Sequence, residues 1–203
     1  MTDPSRRDFL RYLAAAPLAE FAIGAADLDR LSELTKKTLD ELAQRGQQYR
    51  PKYFSPDDWR TVRILVDLVI PRDARSGSAT DAGVPEFMDF TLGERANMRT
   101  WMRSGLAWLD AECVGRFGTP FRDCTTGQQT AMLDDIAWPR RARREMQQGV
   151  RFFNNFRNFT ASGFWSSKMG VEDLQYLGNR PSATWSGCPP AALRKLGVQY
   201  GEP

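Results

Sequence analysis

Paired carboxylates are the first groups in this sequence whose types and spacing suit chemistry. Asp57-Asp58 and Asp134-Asp135 supply the residues of a general acid and base. On a helix, neighbouring side chains point about 100° apart, poor geometry for clasping one substrate bond. The first pair also follows Ser55-Pro56, where carboxylates stabilise the positive end of a helix. Among 203 residues there is no histidine. Its absence removes Ser-His-Asp and Cys-His nucleophile activation, histidine-ligated zinc and haem, and the two-His-one-carboxylate iron site. The glycines form neither a Gly-x-Gly-x-x-Gly run nor a Walker sequence, the patterns that cradle phosphates. An independent exported enzyme using carboxylates is the catalytic alternative that the residue types leave open.

Three cysteines, Cys113, Cys124 and Cys188, cannot make a four-thiolate metal site, and no Cys-x-x-Cys pair is present to act as a dithiol. In an oxidising compartment an odd count suits one internal bridge and one thiol for another subunit. Cys113 and Cys124 stand either side of Gly118 and Pro120 and are expected to pair. Cys188, within Trp185-Ser186-Gly187-Cys188-Pro189, is then the intersubunit candidate; three reduced, buried thiols are the alternative.

The compartment follows from the N-terminus. Arg6, Arg7, Phe9 and Leu10 have the order of a twin-arginine signal, and an alanine-rich stretch runs from Tyr12 to Ala26. Gly24-Ala25-Ala26 is a small-residue run that a signal peptidase accepts, although Glu20 interrupts the apolar stretch. Residues 1–26 are expected to be the export segment and residues 27–203 one domain. The twin-arginine route moves folded proteins, commonly ones that have already bound a cofactor, yet this chain has no recognisable cofactor site. Either a site is hidden or the chain escorts a partner that has one. A membrane tether that keeps its leader uncleaved is a further alternative.

The elements that must position these groups read as helices. Only four isoleucines and eight valines are present, and no segment sustains apolar-polar alternation, so an all-α, single-domain helical bundle is expected. Asp27 is expected to cap a helix carrying Leu28, Leu31, Leu34, Thr38, Leu39 and Leu42 on one stripe, ended by Gly46. Ser55-Pro56 starts a second helix that buries Trp59, Val62, Leu65, Leu68 and Val69 and stops at Pro71. Residues 72–83 read as an exposed loop, Pro85 restarts a short helix, and Met98, Trp101, Met102, Leu106, Leu109 and Cys113 mark a long one. Thr125 and Gln128 have capping-box spacing at the start of the next. Val150 to Phe159 is aromatic along one side, and the last 45 residues, rich in glycine, proline and aromatic residues, read as a long loop-rich segment with one short helix near Pro190 to Leu196.

Overall charge is nearly balanced, 28 Lys and Arg against 25 Asp and Glu, so no nucleic-acid partner is expected. The balance conceals Arg140, Arg141, Arg143 and Arg144, the densest basic run in the chain. It reads as a solvated helix face or as a docking surface for an acidic partner.

Two blocks then carry a likeness. One runs through Trp59, Thr61, Val62, Leu65, Asp67, Ile70, Pro71 and Asp73 to Asp81-Ala82-Gly83-Val84-Pro85-Glu86-Phe87. The other is Gly163-Phe164-Trp165-Ser166-Ser167-Lys168-Met169-Gly170, followed by Tyr176, Gly178-Asn179, Pro181, Trp185, Gly187-Cys188 and Pro189. With these blocks the chain resembles the small subunit, subunit 3 or gamma, of bacterial membrane-associated gluconate 2-dehydrogenase and FAD-dependent glucose dehydrogenase complexes. The resemblance covers residue 5 to about residue 197; the Arg140 run is not part of it.

The resemblance implies a non-catalytic, periplasmic subunit, membrane-associated through its complex and holding no cofactor of its own. Its implied partners are an FAD-bearing catalytic subunit of the glucose-methanol-choline oxidoreductase type, a possible multihaem cytochrome c subunit and the twin-arginine translocase. The small subunit would support folding of the flavoprotein and carry the signal that exports it. Family members can be disulfide-bonded to the catalytic subunit, which fits Cys188. Phe164, Trp165, Tyr176 and Trp185 are the aromatic candidates for the interface.

Overall fold

The computed structural model describes residues 24–175 and 187–199. Among them the chain is all-helical, without a strand. The helices are α1 (Ala25–Gln44), α2 (Pro56–Val69), α3 (Val84–Glu94), α4 (Ala96–Phe117), α5 (Thr126–Ala137), α6 (Gln147–Ser166), α7 (Lys168–Asp173) and α8 (Pro190–Leu196), with 3-10 turns at Phe121–Asp123 and Arg144–Met146.

Local signals account for several boundaries. Ser55 caps α2 by accepting the Asp58 amide at 3.1 Å, and Pro56 occupies the first turn, where its missing N–H costs nothing. At α5 both halves of the capping box form: the Gln128 amide donates to Thr125 Oγ1 at 3.3 Å, and the Thr125 amide donates to Gln128 Oε1 at 2.9 Å. The start of α1 differs from expectation. Gly24, not Asp27, is its N-cap, and Asp27 lies in the first turn, paired with Arg95. The α1 stripe is also rotated: Leu31 and Thr35 are buried while Leu34 is 37% exposed. Thr35 is tolerated there because its hydroxyl donates to the Leu31 carbonyl at 2.7 Å.

α6 organises the core. It packs on α1, α3, α4 and α5, and its buried face carries Phe152, Phe153, Phe156, Phe159 and Phe164. Phe159 meets Phe87 edge-on with ring centroids 5.7 Å apart. Gly105 of α4 faces Phe152 so closely that a Cβ would fall 1.9 Å from Cδ2, so the glycine sets the distance between these two helices. α3 is buried almost along its whole length, from Val84 to Asp89 and again at Thr91 and Leu92.

Three further segments depart from expectation. The segment 72–83 is not uniformly exposed, because Ser78, Ala79 and Gly83 are buried. Side-chain carboxylates satisfy its backbone: the Thr80 amide donates to Asp67 at 2.7 Å and the Ser78 amide to Asp81 at 2.8 Å. The sequence expects loop beyond Phe159, yet α6 runs on to Ser166 and α7 follows directly, with Gly163 inside the helix. Finally, Arg140 to Arg143 sit in a turn between α5 and α6, not on a helix face.

Candidate functional site

The two blocks that carry the resemblance, far apart in sequence, fold onto each other. Gly163 packs beneath α3, where a Cβ would meet Phe87 Cδ1 at 2.8 Å and Val84 Cγ1 at 3.3 Å. Gly77, from the loop of the first block, lies so close to α7 that a Cβ added to it would be 3.0 Å from Met169 Cε. The two blocks and α1 enclose a groove of roughly 600 Å³ lined by Ser32, Thr35, Leu39, Asp81, Phe87 and Met169 among others.

Its floor is the α6–α7 corner. Ser167 turns the chain by donating its hydroxyl to the Phe164 carbonyl at 2.6 Å and accepting the Gly170 amide at 3.1 Å, so one side chain ends α6 and caps α7. Gly170 lies so close to the Phe164 carbonyl that a Cβ would be 2.0 Å from its oxygen. Ser32 of α1 donates to the Ser166 carbonyl at 2.6 Å, and Arg75 pairs with Asp173 at 3.2 Å. The glycines and serines of the second block thus build a tight corner clasped by the first block and by α1.

Of the aromatic candidates, Phe164 is buried, 1% exposed, and packs edge-on beneath Trp165 with centroids 4.9 Å apart. Trp165 is 38% exposed and presents the accessible ring of the pair. Cys188 is exposed. Tyr176 and Trp185 lie outside the described residues, as do Arg6, Arg7, Phe9 and Leu10 of the export signal.

Cys113 and Cys124 are brought together as buried thiols that approach to 4.2 Å without a bond. Burial, with Cys124 beside it, pushes the Cys113 thiol up to about 12. Two of the four carboxylates of the catalytic alternative, Asp57 and Asp135, are engaged in ion pairs. Asp57 bonds Arg60 at 2.6 Å and Arg122 at 3.1 Å, and the Arg60 hydrogen bond holds its carboxyl below the usual range. Asp135 pairs with Arg116 at 2.6 Å, and Asp58 accepts the Ser55 hydroxyl at 2.7 Å. Among the described residues no group of three His, Cys, Asp or Glu could hold a metal ion, and no helix is long and apolar enough to cross a membrane.

Sequence reasoning missed Asp89, the most connected side chain of this half of the molecule. Only 1% exposed, it accepts the Tyr49 hydroxyl at 2.7 Å and the amides of Lys52, Tyr53 and Phe54 at 2.8, 2.8 and 3.1 Å. It therefore fixes the α1–α2 connection against α3, and burial together with the Asp89 bond raises the Tyr49 phenol well above its ordinary value.

No curated protein and no solved structure matches the chain. The sequence model of one family does, over residues 56–184, which is well over half of the chain and contains the first block and the second as far as Pro181. The chain belongs to the gluconate 2-dehydrogenase subunit 3 family, the small accessory subunits of sugar-dehydrogenase-type complexes.

Proposed function

We propose that this chain is the non-catalytic small subunit that binds, stabilises and co-exports an FAD-dependent sugar, sugar-acid or polyol dehydrogenase of the glucose-methanol-choline type. The observation that carries the reading is a combination within one chain: family membership, and an Arg6-Arg7 signal of the kind used for folded cargo on a chain with no cofactor motif. The flavin belongs to the partner, and haem c to a cytochrome subunit where one is present. The complex works in the periplasm and is membrane-associated. Trp165, supported by Phe164, contributes to the flavoprotein interface together with Tyr176 and Trp185, and Cys188 is the bridging thiol. Purifying the tagged chain from its own cells tests this. Dehydrogenase activity should travel with a large flavin-bearing protein, and activity from this chain alone would refute the accessory role.

A retained leader is the second reading, favoured by one observation. The bond between Ala26 and Asp27, the expected cut, lies inside the first turn of α1, and Asp27 is held by Arg95. N-terminal sequencing of the exported protein decides. A start at Asp27 establishes cleavage, whereas an intact N-terminus makes the leader a tether.

A further inference from the structure

The turn between α5 and α6 is the surface that the accessory role leaves unused. Ile136, 0% exposed, and Met146, 1% exposed, anchor its two ends in the core, and Ala142 packs against that core from the middle. Trp138 accepts the amides of Arg141 and Ala142 at 2.8 and 3.0 Å through its carbonyl. The backbone is therefore fixed while the indole projects, 60% exposed, beside Pro139.

Around it stand Arg140, Arg141, Arg143 and Arg144, all exposed. The acids within reach leave two of the four, Arg141 and Arg144, unneutralised among the described residues. Asp135 is taken by Arg116 at 2.6 Å and Glu145 by Arg143 at 3.1 Å, while Arg141 and Arg144 form no ion pair among the described residues. A hollow of roughly 530 Å³ is lined by Trp138, Pro139, Arg140 and Arg141, so the tryptophan and two of the arginines border one space.

We propose that this turn is a lipid-contact element, which seats Trp138 at the headgroup level of a membrane and pairs Arg141 and Arg144 with anionic lipid phosphates. Two physical arguments choose this occupant. First, a stable protein interface takes about 800 Å² from each partner around an apolar centre, whereas one indole supplies about 200 Å² and the rest of the turn is cationic. Second, a plane of phosphodiesters complements the guanidinium groups of Arg141 and Arg144, each able to bond phosphate in bidentate fashion, and tryptophan favours the membrane–water interface. The contact is peripheral and salt-sensitive, in keeping with the absence of a membrane-crossing helix among the described residues. It is independent of the flavoprotein interface.

Co-sedimentation of the full chain with vesicles tests it, comparing equimolar phosphatidylglycerol and phosphatidylcholine with phosphatidylcholine alone. The wild type and an R141Q/R144Q variant carry the same leader, so their difference isolates the turn. With about 1 kcal/mol per basic residue at an anionic surface, the variant should partition onto the anionic vesicles about thirtyfold less well, and W138A should also weaken binding. The difference should vanish in 0.5 M salt and on neutral vesicles, and circular dichroism should show both variants folded. Equal partition of wild type and R141Q/R144Q would overturn the proposal. So would unchanged partition combined with loss of a co-purifying protein, which would assign the turn to an acidic protein partner.

Discussion

The Phe87 ring lies over Gly163 so closely that a Cβ on the glycine would come within 2.8 Å of Cδ1. This contact joins α3 to α6 and brings the two blocks of the family resemblance together. It predicts opposite outcomes for one substitution at two helical glycines. G115A has open space and should stabilise by up to about 1 kcal/mol through helix propensity. G163A should instead destabilise by about 1–2 kcal/mol, because overpacking against a buried ring outweighs the propensity gain. Urea unfolding of the two variants checks this, and a stabilising G163A would show that α3 and α6 are not so tightly seated.

Glu86 offers a pH test. It is 7% exposed, its Oε2 has no hydrogen-bond partner, and burial raises its pKa above the usual carboxylate range. A carboxyl with a raised folded-state pKa binds more protons when folded, so stability falls as pH rises from the unfolded value through the folded one. E86Q should therefore be more stable than the wild type by about 1 kcal/mol at neutral pH, with the gap closing as pH falls below the ordinary carboxylate range. Thermal unfolding across pH measures the gap, and a constant difference would mean that Glu86 titrates alike in the folded and unfolded chain.

How far the sequence reveals this arrangement depends on the distance over which each group is satisfied. Ser55 and Thr125 find their partners three residues away, so both caps are readable from spacing. Asp89 is unreadable for the opposite reason: its donors come from residues 49–54, and nothing in Phe-Met-Asp-Phe distinguishes a buried acceptor from a solvated carboxylate. Ser78 and Ala79 look like loop because they are small residues among glycine and polar neighbours, and bonds to α2 and its C-cap, from the Thr80 amide to Asp67 and from the Ala79 amide to the Ile70 carbonyl, hold the segment inward. Gly163 looks like a breaker until Phe87 occupies the space that its missing side chain leaves. The fold class, carried by periodicity, and the family, carried by two ordered blocks, were both legible. Trp138 is not legible in the same way, since exposure of one tryptophan leaves no mark in sequence.

Cys113 and Cys124 are expected to join once the chain reaches an oxidising compartment. A bridge would close a short loop around Gly118 and stabilise the fold by about 2–3 kcal/mol. Intact mass under non-reducing conditions, after alkylation in denaturant, should leave both residues unmodified. Full alkylation of the pair would establish two reduced structural thiols. In the native reduced protein the reaction should be slow, because Cys113 is buried and its thiol is pushed up to about 12.

The escort role is tested most directly at Arg6 and Arg7, by following where the flavoprotein partner goes when both are replaced by lysine. Cell fractionation with a dehydrogenase assay should find the partner in the periplasm for the wild type and stranded in the cytoplasm, folded and flavin-loaded, for R6K/R7K. A partner that still reaches the periplasm in the variant would contradict co-export by this chain.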